Sequence, residues 1–317
     1  MKDLTDDTVL YIGSFLDPLG ILNVALTCRR FGSATSAHHV SLMEQGARQL
    51  IEAAPLYERN WVPYTQNSSS SSTTWIGLYY ELLKLRAPPT FNTILGRGIR
   101  HINNNKHHVY VSLREQYQAQ QLQDAKRLIL RKRNRLMTTG DSSYVSCVAI
   151  GNHIMRAGRH YVKFTMTRVE KISFGIIKPI DENLADDHTD TNGFSSYGCC
   201  PFTSPSLLCA LSSRTQDPYK SNVYCCLYNT FPGTCQWCDY NMMERTIDNW
   251  TGMEYSLEGD VGLLLDLDEG TLTVYKNGRR LGIMKDGITG EYCWLMSIQG
   301  ASNPTAVQIK RAPIPDA

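Results

Sequence analysis

The sequence predicts an α+β multidomain chain, with helices towards the N-terminus and an antiparallel β-sandwich from about residue 142 to residue 312. Three observations predict it. Apolar residues recur three and four apart through much of residues 1–100, the spacing of a helix face. Beyond Ser142 the pattern changes to short β runs separated by Gly, Pro and Asn. Within those runs, Val261–Ile283 reads as three consecutive strands joined by two tight turns.

The first element starts near Asp6-Asp7, whose negative charge suits the positive end of a helix. Thr5 or Asp6 can cap it. Val9, Ile12 and Leu16, with Phe15 beside them, give one apolar face. Asp17-Pro18 ends this helix and starts another, with Asp as cap and Pro at the first helical position. Leu19, Leu22 and Leu26 form its stripe, adjoined by Ile21 and Ala25, and Thr27-Cys28-Arg29-Arg30-Phe31 begins a third short helix. Three short helices over residues 1–40 bury too little surface to stand alone. So many apolar positions predict a docking surface, or a helical hairpin packed on residues 41–100.

Residues 41–141 read as a mainly helical linker. The run Asn67–Thr74 is Ser-rich and has nothing to bury, so it is expected to be a flexible loop. Trp75, Ile76, Tyr79, Leu82 and Leu83 then follow helical spacing until Pro88-Pro89 stops the helix. Residues 113–137 form a further helical stretch, polar and then basic. Lys126, Arg127, Arg131, Lys132, Arg133 and Arg135 bring six cations and no acid. Such a run is a solvated helix face, a nuclear-import patch or a nucleic-acid contact.

In the β region, Val261–Leu267 is an apolar run suited to a buried strand, and Asp268-Glu269-Gly270 closes a turn. From Thr271 to Lys276 the sides alternate: Leu272 and Val274 face one way, Thr271, Thr273 and Tyr275 the other. Asn277-Gly278 suits a type I′ hairpin turn, and the chain returns from Arg279 to Met284. The stretches Asp181–Pro205 and Thr215–Asp248 read as long loops. They hold Phe194, Tyr197, Phe202, Tyr219, Tyr228, Phe231, Trp237 and Tyr240. Aromatic side chains on loops bury much area with few rotatable bonds, which suits protein recognition. Tyr197, Tyr219, Trp237 and Tyr240 are the ligand-contact candidates. Trp237, Trp250 and Trp294 can instead close the sandwich core.

At the strand–turn–strand Leu265-Asp266 to Tyr275-Lys276-Asn277-Gly278, the chain resembles the SPRY family. Gly158–Phe164, Ile172–Ile177 and Glu291–Met296 resemble earlier and later strands of that family, so the resemblance covers about residues 142–312. It implies a β-sandwich whose rim loops grip a peptide or a protein surface. Residues 3–40 resemble an F-box, at Leu4, Asp7, Val9, Ile12, Phe15-Leu16-Asp17-Pro18, Leu22 and Cys28-Arg29-Arg30-Phe31; Thr5 stands where that family has Pro. This second resemblance implies that Leu4, Val9, Ile12, Phe15, Leu16, Leu19 and Leu22 dock on the Skp-type adaptor of a cullin-RING ubiquitin ligase. The chain would then be a substrate receptor acting by proximity. The alternative is a SPRY interaction scaffold with no role in ubiquitination.

Composition is that of a soluble globular protein, 42% hydrophobic and 20% charged. No apolar run of about 18 residues predicts a membrane span, and the polar, acidic start is not a signal peptide. The expected location is cytoplasm or nucleus, where the 10 Cys stay as thiols. Residues 1–140 carry 17 Lys and Arg against 10 Asp and Glu, the rest 15 against 20. The β region is thus acidic, which does not point to nucleic acid.

No catalytic constellation, cofactor or metal is expected. Cys225-Cys226 with Cys235 and Cys238 could be read as zinc ligands, but adjacent residues of a strand point to opposite faces. Asp187–Gly193 has His188 where a calcium loop needs its first Asp. Gly96-Arg97-Gly98 lacks a phosphate-loop signature. Asp266 and Asp268 bracket a turn, and turn chemistry accounts for them. No His sits in a local nucleophile motif.

Overall fold

The structure, a computed structural model, describes residues 6–13, 15–16, 20–21, 23–24, 41–62, 74–95, 99–111, 146–167, 172–179, 223–230, 233–238, 244–247, 259–299 and 305–315. The chain divides into two units. One comprises residues 1–87 with 156–159, the other 88–155 with 160–317.

The first unit is helical: α1 (Asp6–Gly13), α2 (Leu42–Glu52), α3 (Leu56–Arg59) and α4 (Trp75–Arg86). Two of these helices start on a side-chain cap. Ser41 Oγ accepts from Glu44 N at 3.2 Å, and Thr74 Oγ1 accepts from Gly77 N at 3.1 Å. On α2, Met43, Ala47 and Ile51 recur four apart and are buried; on α4, Leu78, Leu82 and Leu85 do the same at four and three. With Ile21, Leu42 and Trp61 they form the core of this unit. Glu44 ties the two helices by accepting from Trp75 N. Its carboxyl is pushed up by burial, against the lowering pull of hydrogen bonds from Trp75, Ile76 and Thr74. Trp61 Nε1 donates to Arg159 O at 2.8 Å, and Arg156 pairs with Glu81 at 3.2 Å.

The second unit is a β-sandwich. Its strands are β1 (Phe91–Leu95), β2 (Ile99–Ile102), β3 (Asn105–Val111), β4 (Ser146–Gly151), β5 (Arg159–Met166), β6 (Ile172–Ile177) and β7 (Cys225–Asn229), followed by β8 (Cys235–Cys238), β9 (Glu244–Ile247), β10 (Gly259–Asp266), β11 (Thr271–Lys276), β12 (Arg279–Lys285), β13 (Cys293–Gln299) and β14 (Thr305–Arg311). They make two seven-stranded antiparallel sheets, ordered β1-β4-β13-β6-β7-β8-β9 and β12-β11-β10-β5-β14-β3-β2. Inward-facing residues of both sheets share one core, including Val162, Phe164, Phe174, Ile176, Leu263, Leu265, Trp294 and Ile309. Phe164 of one sheet stacks on Phe174 of the other, ring centroids 4.5 Å apart.

The meander over 261–283 follows the expected register, from Val261↔Lys276 to Asp266↔Thr271. Leu272 and Val274 enter the core, while Tyr275 lies on the opposite face with Tyr161 and Leu264. Asn277 and Gly278 both hold positive φ, 51° and 80°, as a type I′ turn requires. Asp266 Oδ1 accepts from the backbone N of Asp268 and Glu269, at 3.2 and 3.0 Å, so the first carboxylate of this pair orders the turn.

Three expectations need correction. The sandwich does not begin near residue 142: β1, β2 and β3 lie within the stretch read as a mainly helical linker. Pro88-Pro89 ends the helix, and the next residues pair as strands. β1 joins one sheet through Ile94↔Ala149, and β3 joins the other through Val109↔Val307. The turn between β2 and β3 is Asn103-Asn104, both at positive φ. Second, Thr215–Asp248 is not one long loop but contains β7, β8 and β9. Third, of the expected three-helix N-terminal segment, the structure describes α1 and the helical residues 20–21 and 23–24. The third helix, the Ser-rich run at 67–73 and the basic helix at 113–137 lie outside the described residues.

Candidate protein-docking surfaces

The N-terminal candidates separate by environment. α1 stops at Gly13, and the chain tightens into turns in which Phe15 N donates to Ile12 O and Leu16 N to Gly13 O. The helical phase is therefore broken between Ile12 and Leu16, and the two do not share one face as expected. Leu16 is half-buried and packs on the helical core. Ile12 points outward, 47% exposed, with Tyr11 at 67% and Phe15 at 72%. Tyr11 and Phe15 meet edge to face, centroids 5.0 Å apart. On the inner side, Leu10 reaches Gly46 of α2, and Gly13 faces Met43. The contact is close because neither glycine carries a side chain. α1 thus has an apolar inner side that packs and an apolar outer side that meets solvent. Leu4, Leu19 and Leu22 lie outside the described residues, as does the side chain of Val9.

The β-unit candidates also separate. Tyr197, Tyr219 and Tyr240 lie outside the described residues, as do Phe194, Phe202, Phe231 and Trp250. Trp237 is not on a loop: it sits on β8, half-buried against the core, with Lys285 Nζ 4.9 Å from its ring. Tyr228, read as a loop aromatic, is buried on β7 in the core. Trp294 is buried there too, as a core residue closing the sandwich.

Ile177, the last residue of β6, pairs with Cys225, the first of β7, so these two strand ends share one rim of the sandwich. That rim is braced. Lys178 N donates to Tyr224 O at 3.0 Å, Tyr224 N to Cys238 O at 2.8 Å, and Tyr292 Oη to Val223 O at 2.8 Å. Lys178 Nζ donates to Thr289 O at 2.7 Å and sits 3.9 Å from the centre of the Tyr292 ring. A carbonyl and a ring face are both favourable neighbours for a buried ammonium. Tyr292 in turn exchanges both backbone bonds with Met155, at 2.8 and 3.0 Å. Of these residues the sequence marks Tyr292, within the strand Glu291–Met296, and Cys238, weighed as a zinc ligand; it does not mark Met155, Lys178, Val223, Tyr224 or Thr289. Their signal is long-range pairing, which composition does not carry.

Among the described residues, no three His, Cys, Asp or Glu side chains gather as metal ligands. The four cysteines weighed as zinc ligands divide by strand alternation. Cys226 and Cys235 enter the core, and Cys225 and Cys238 occupy the other face. Two thiols on each side of a sheet cannot converge on one ion.

No family model matches the chain, and no curated protein matches it. Among solved structures it is similar to the SPRY domain of human HERC1, with a TM-score of 0.33 and 12% identity over 56% of this chain and 92% of that one. It is also similar to the PSpry domain of TRIM65, with a TM-score of 0.36 and 13% identity over 73% of this chain and 95% of that one. A third, stonustoxin, gives a TM-score of 0.33 and 10% identity over 70% of this chain and 27% of that one.

Proposed function

We propose that the chain is a protein–protein interaction adaptor that performs no bond chemistry. In this reading the sandwich is a SPRY-type module that holds a protein or peptide target at its rim. The N-terminal helices act as an F-box and dock on the Skp-type adaptor of a cullin-RING ubiquitin ligase, in the cytoplasm or nucleus. Ubiquitin transfer is then helped by proximity alone, because the target lysine is held near the charged enzyme.

The observation that carries the reading is the outer side of α1. Tyr11, Ile12 and Phe15 present apolar surface to solvent and are not members of the helical core. Contiguous exposed apolar side chains of this kind favour a docking partner. Affinity capture of the full chain with the purified adaptor tests it. Wild type is expected to retain the adaptor, and Ile12→Asp and Phe15→Asp to lose at least tenfold in affinity while keeping the wild-type melting temperature. Absence of binding by the wild type at micromolar concentration leaves the alternative, a SPRY interaction scaffold without a ligase.

A further inference from the structure

Sheet pairing brings two thiols into direct register. Cys225, the first residue of β7, is the cross-strand partner of Cys238, the last residue of β8. Directly opposed residues of an antiparallel pair carry their side chains on the same face, with Cα atoms about 4.5–5.5 Å apart. That separation lies within the span a disulfide needs. No other described cysteines are opposed in this way. Cys293 lies in the same row across the sheet, but Ile177 of β6 stands between it and Cys225. Two strand spacings, about 10 Å, separate those backbones. Cys226 and Cys235 are diagonal neighbours in the core, and Cys147 faces Ile298.

We propose that Cys225 and Cys238 form a reversible dithiol–disulfide pair, closed by hydrogen peroxide and reopened by a dithiol reductant. One thiolate attacks a peroxide oxygen and the O–O bond breaks. The sulfur becomes a sulfenic acid, and the departing hydroxide takes up a proton as water. The second thiolate attacks the sulfenic sulfur; the S–S bond forms, the S–O bond breaks, and hydroxide leaves as a second water with the remaining proton. Two thiols and one peroxide give one disulfide and two waters, two electrons passing from sulfur to oxygen. Both thiols are 1% exposed in the paired strands, so the reaction runs through opening of the ladder. The pair is the last described rung between β7 and β8, away from the turn where Gly233 N donates to Asn229 O, and Tyr224 N donates to Cys238 O beside it. Oxidation therefore needs this local bonding to open, a sub-global event short of unfolding. The bond fastens the chain entering β7 to the chain leaving β8. This inference stands apart from what the chain binds.

The test uses the full chain, reduced and then exposed to hydrogen peroxide. Remaining thiols are alkylated in denaturant, and the protein is digested without reductant and mapped by mass spectrometry. The expected product is one peptide pair, with fragment ions that place the link at Cys225 and Cys238 and leave Cys226 and Cys235 alkylated. The link disappears on treatment with dithiothreitol. Oxidation raises the thermal midpoint by several degrees and reduction lowers it again; Cys238→Ala removes that shift. Recovery of Cys225 and Cys238 as alkylated thiols after peroxide overturns the proposal, as does their linkage to other cysteines. The wild-type peptide map decides the matter even if Cys238→Ala does not fold.

Discussion

His153 shows how one buried side chain ties this sandwich to pH. It is 5% exposed, and its Nε2 is enclosed with no hydrogen-bond partner. Burial, then the charges of Arg311 and His160, lower its pKa from 6.5 to about 4. Above pH 6.5 the imidazole is neutral in the folded and the unfolded chain, and it adds no pH dependence. Between pH 6.5 and 4 the unfolded chain takes up a proton that the folded chain refuses, so stability falls as pH falls. The loss approaches roughly 3 kcal/mol near pH 4, at about 1.4 kcal/mol per pKa unit. Urea unfolding at pH 7.5, 5.5 and 4.5 is expected to show that decline, and His153→Phe to flatten part of it. Equal slopes in the two proteins would mean that other groups govern the acid limb.

Elements show where strand geometry sets tighter terms than side-chain chemistry. Every residue of β6 and β7 is buried. The two strands approach so closely at Gly175↔Leu227 that a Cβ on Gly175 would run into the Cys226 carbonyl. Gly175→Ala is therefore expected to cost roughly 1–3 kcal/mol by overpacking. A urea midpoint equal to that of wild type would show that the strands can part. Burial on both faces also explains what the sequence hid. Cys-Cys-Leu-Tyr-Asn does not alternate, because both sides of β7 are covered, and it read as loop; Tyr228 was misplaced with it.

Where a tight turn fixes the register, reading is direct. β10 and β11 pair without a break and Asn277-Gly278 sits at the predicted turn, while β12 pairs with β11 through two register shifts. β1, β2 and β3 escaped notice because they are four to seven residues long and carry Asn, His and Lys. β2 and β3 pair locally, but β1 pairs with β4 and β3 with β14, far along the chain, and local propensity does not register such pairing. At α1, spacing alone placed Ile12 and Leu16 together. α1 ends at Gly13, a residue type that favours helix ends, and the apolar spacing does not register that stop.

At the scale of the molecule, the two-unit division changes which fragments stand alone. Residues 88–317 contain every strand of both sheets. A fragment of 142–312 lacks β1, β2 and β3, and with them Phe91, Val109 and Val111 of the core. It also leaves β4 and β14 as bare edges, which invite aggregation. The 88–317 fragment is expected to be soluble, to unfold cooperatively and to resist trypsin at concentrations that degrade 142–312. If the shorter fragment matches it, the first three strands are ornament rather than framework.

The span 91–111 has one further consequence. It gives β1 to one sheet and β2 with β3 to the other, and β3 rests against β14, the last described strand. On a ribosome, β3 can pair with β2 at once, but its other neighbour, β14, emerges only after every described strand between them. Until then a growing chain holds greasy, unsatisfied ribbon, so its biogenesis should lean on holding chaperones. Such late closure makes folding slow and all-or-none, because contacts this distant in sequence bring no reward until both ends are present.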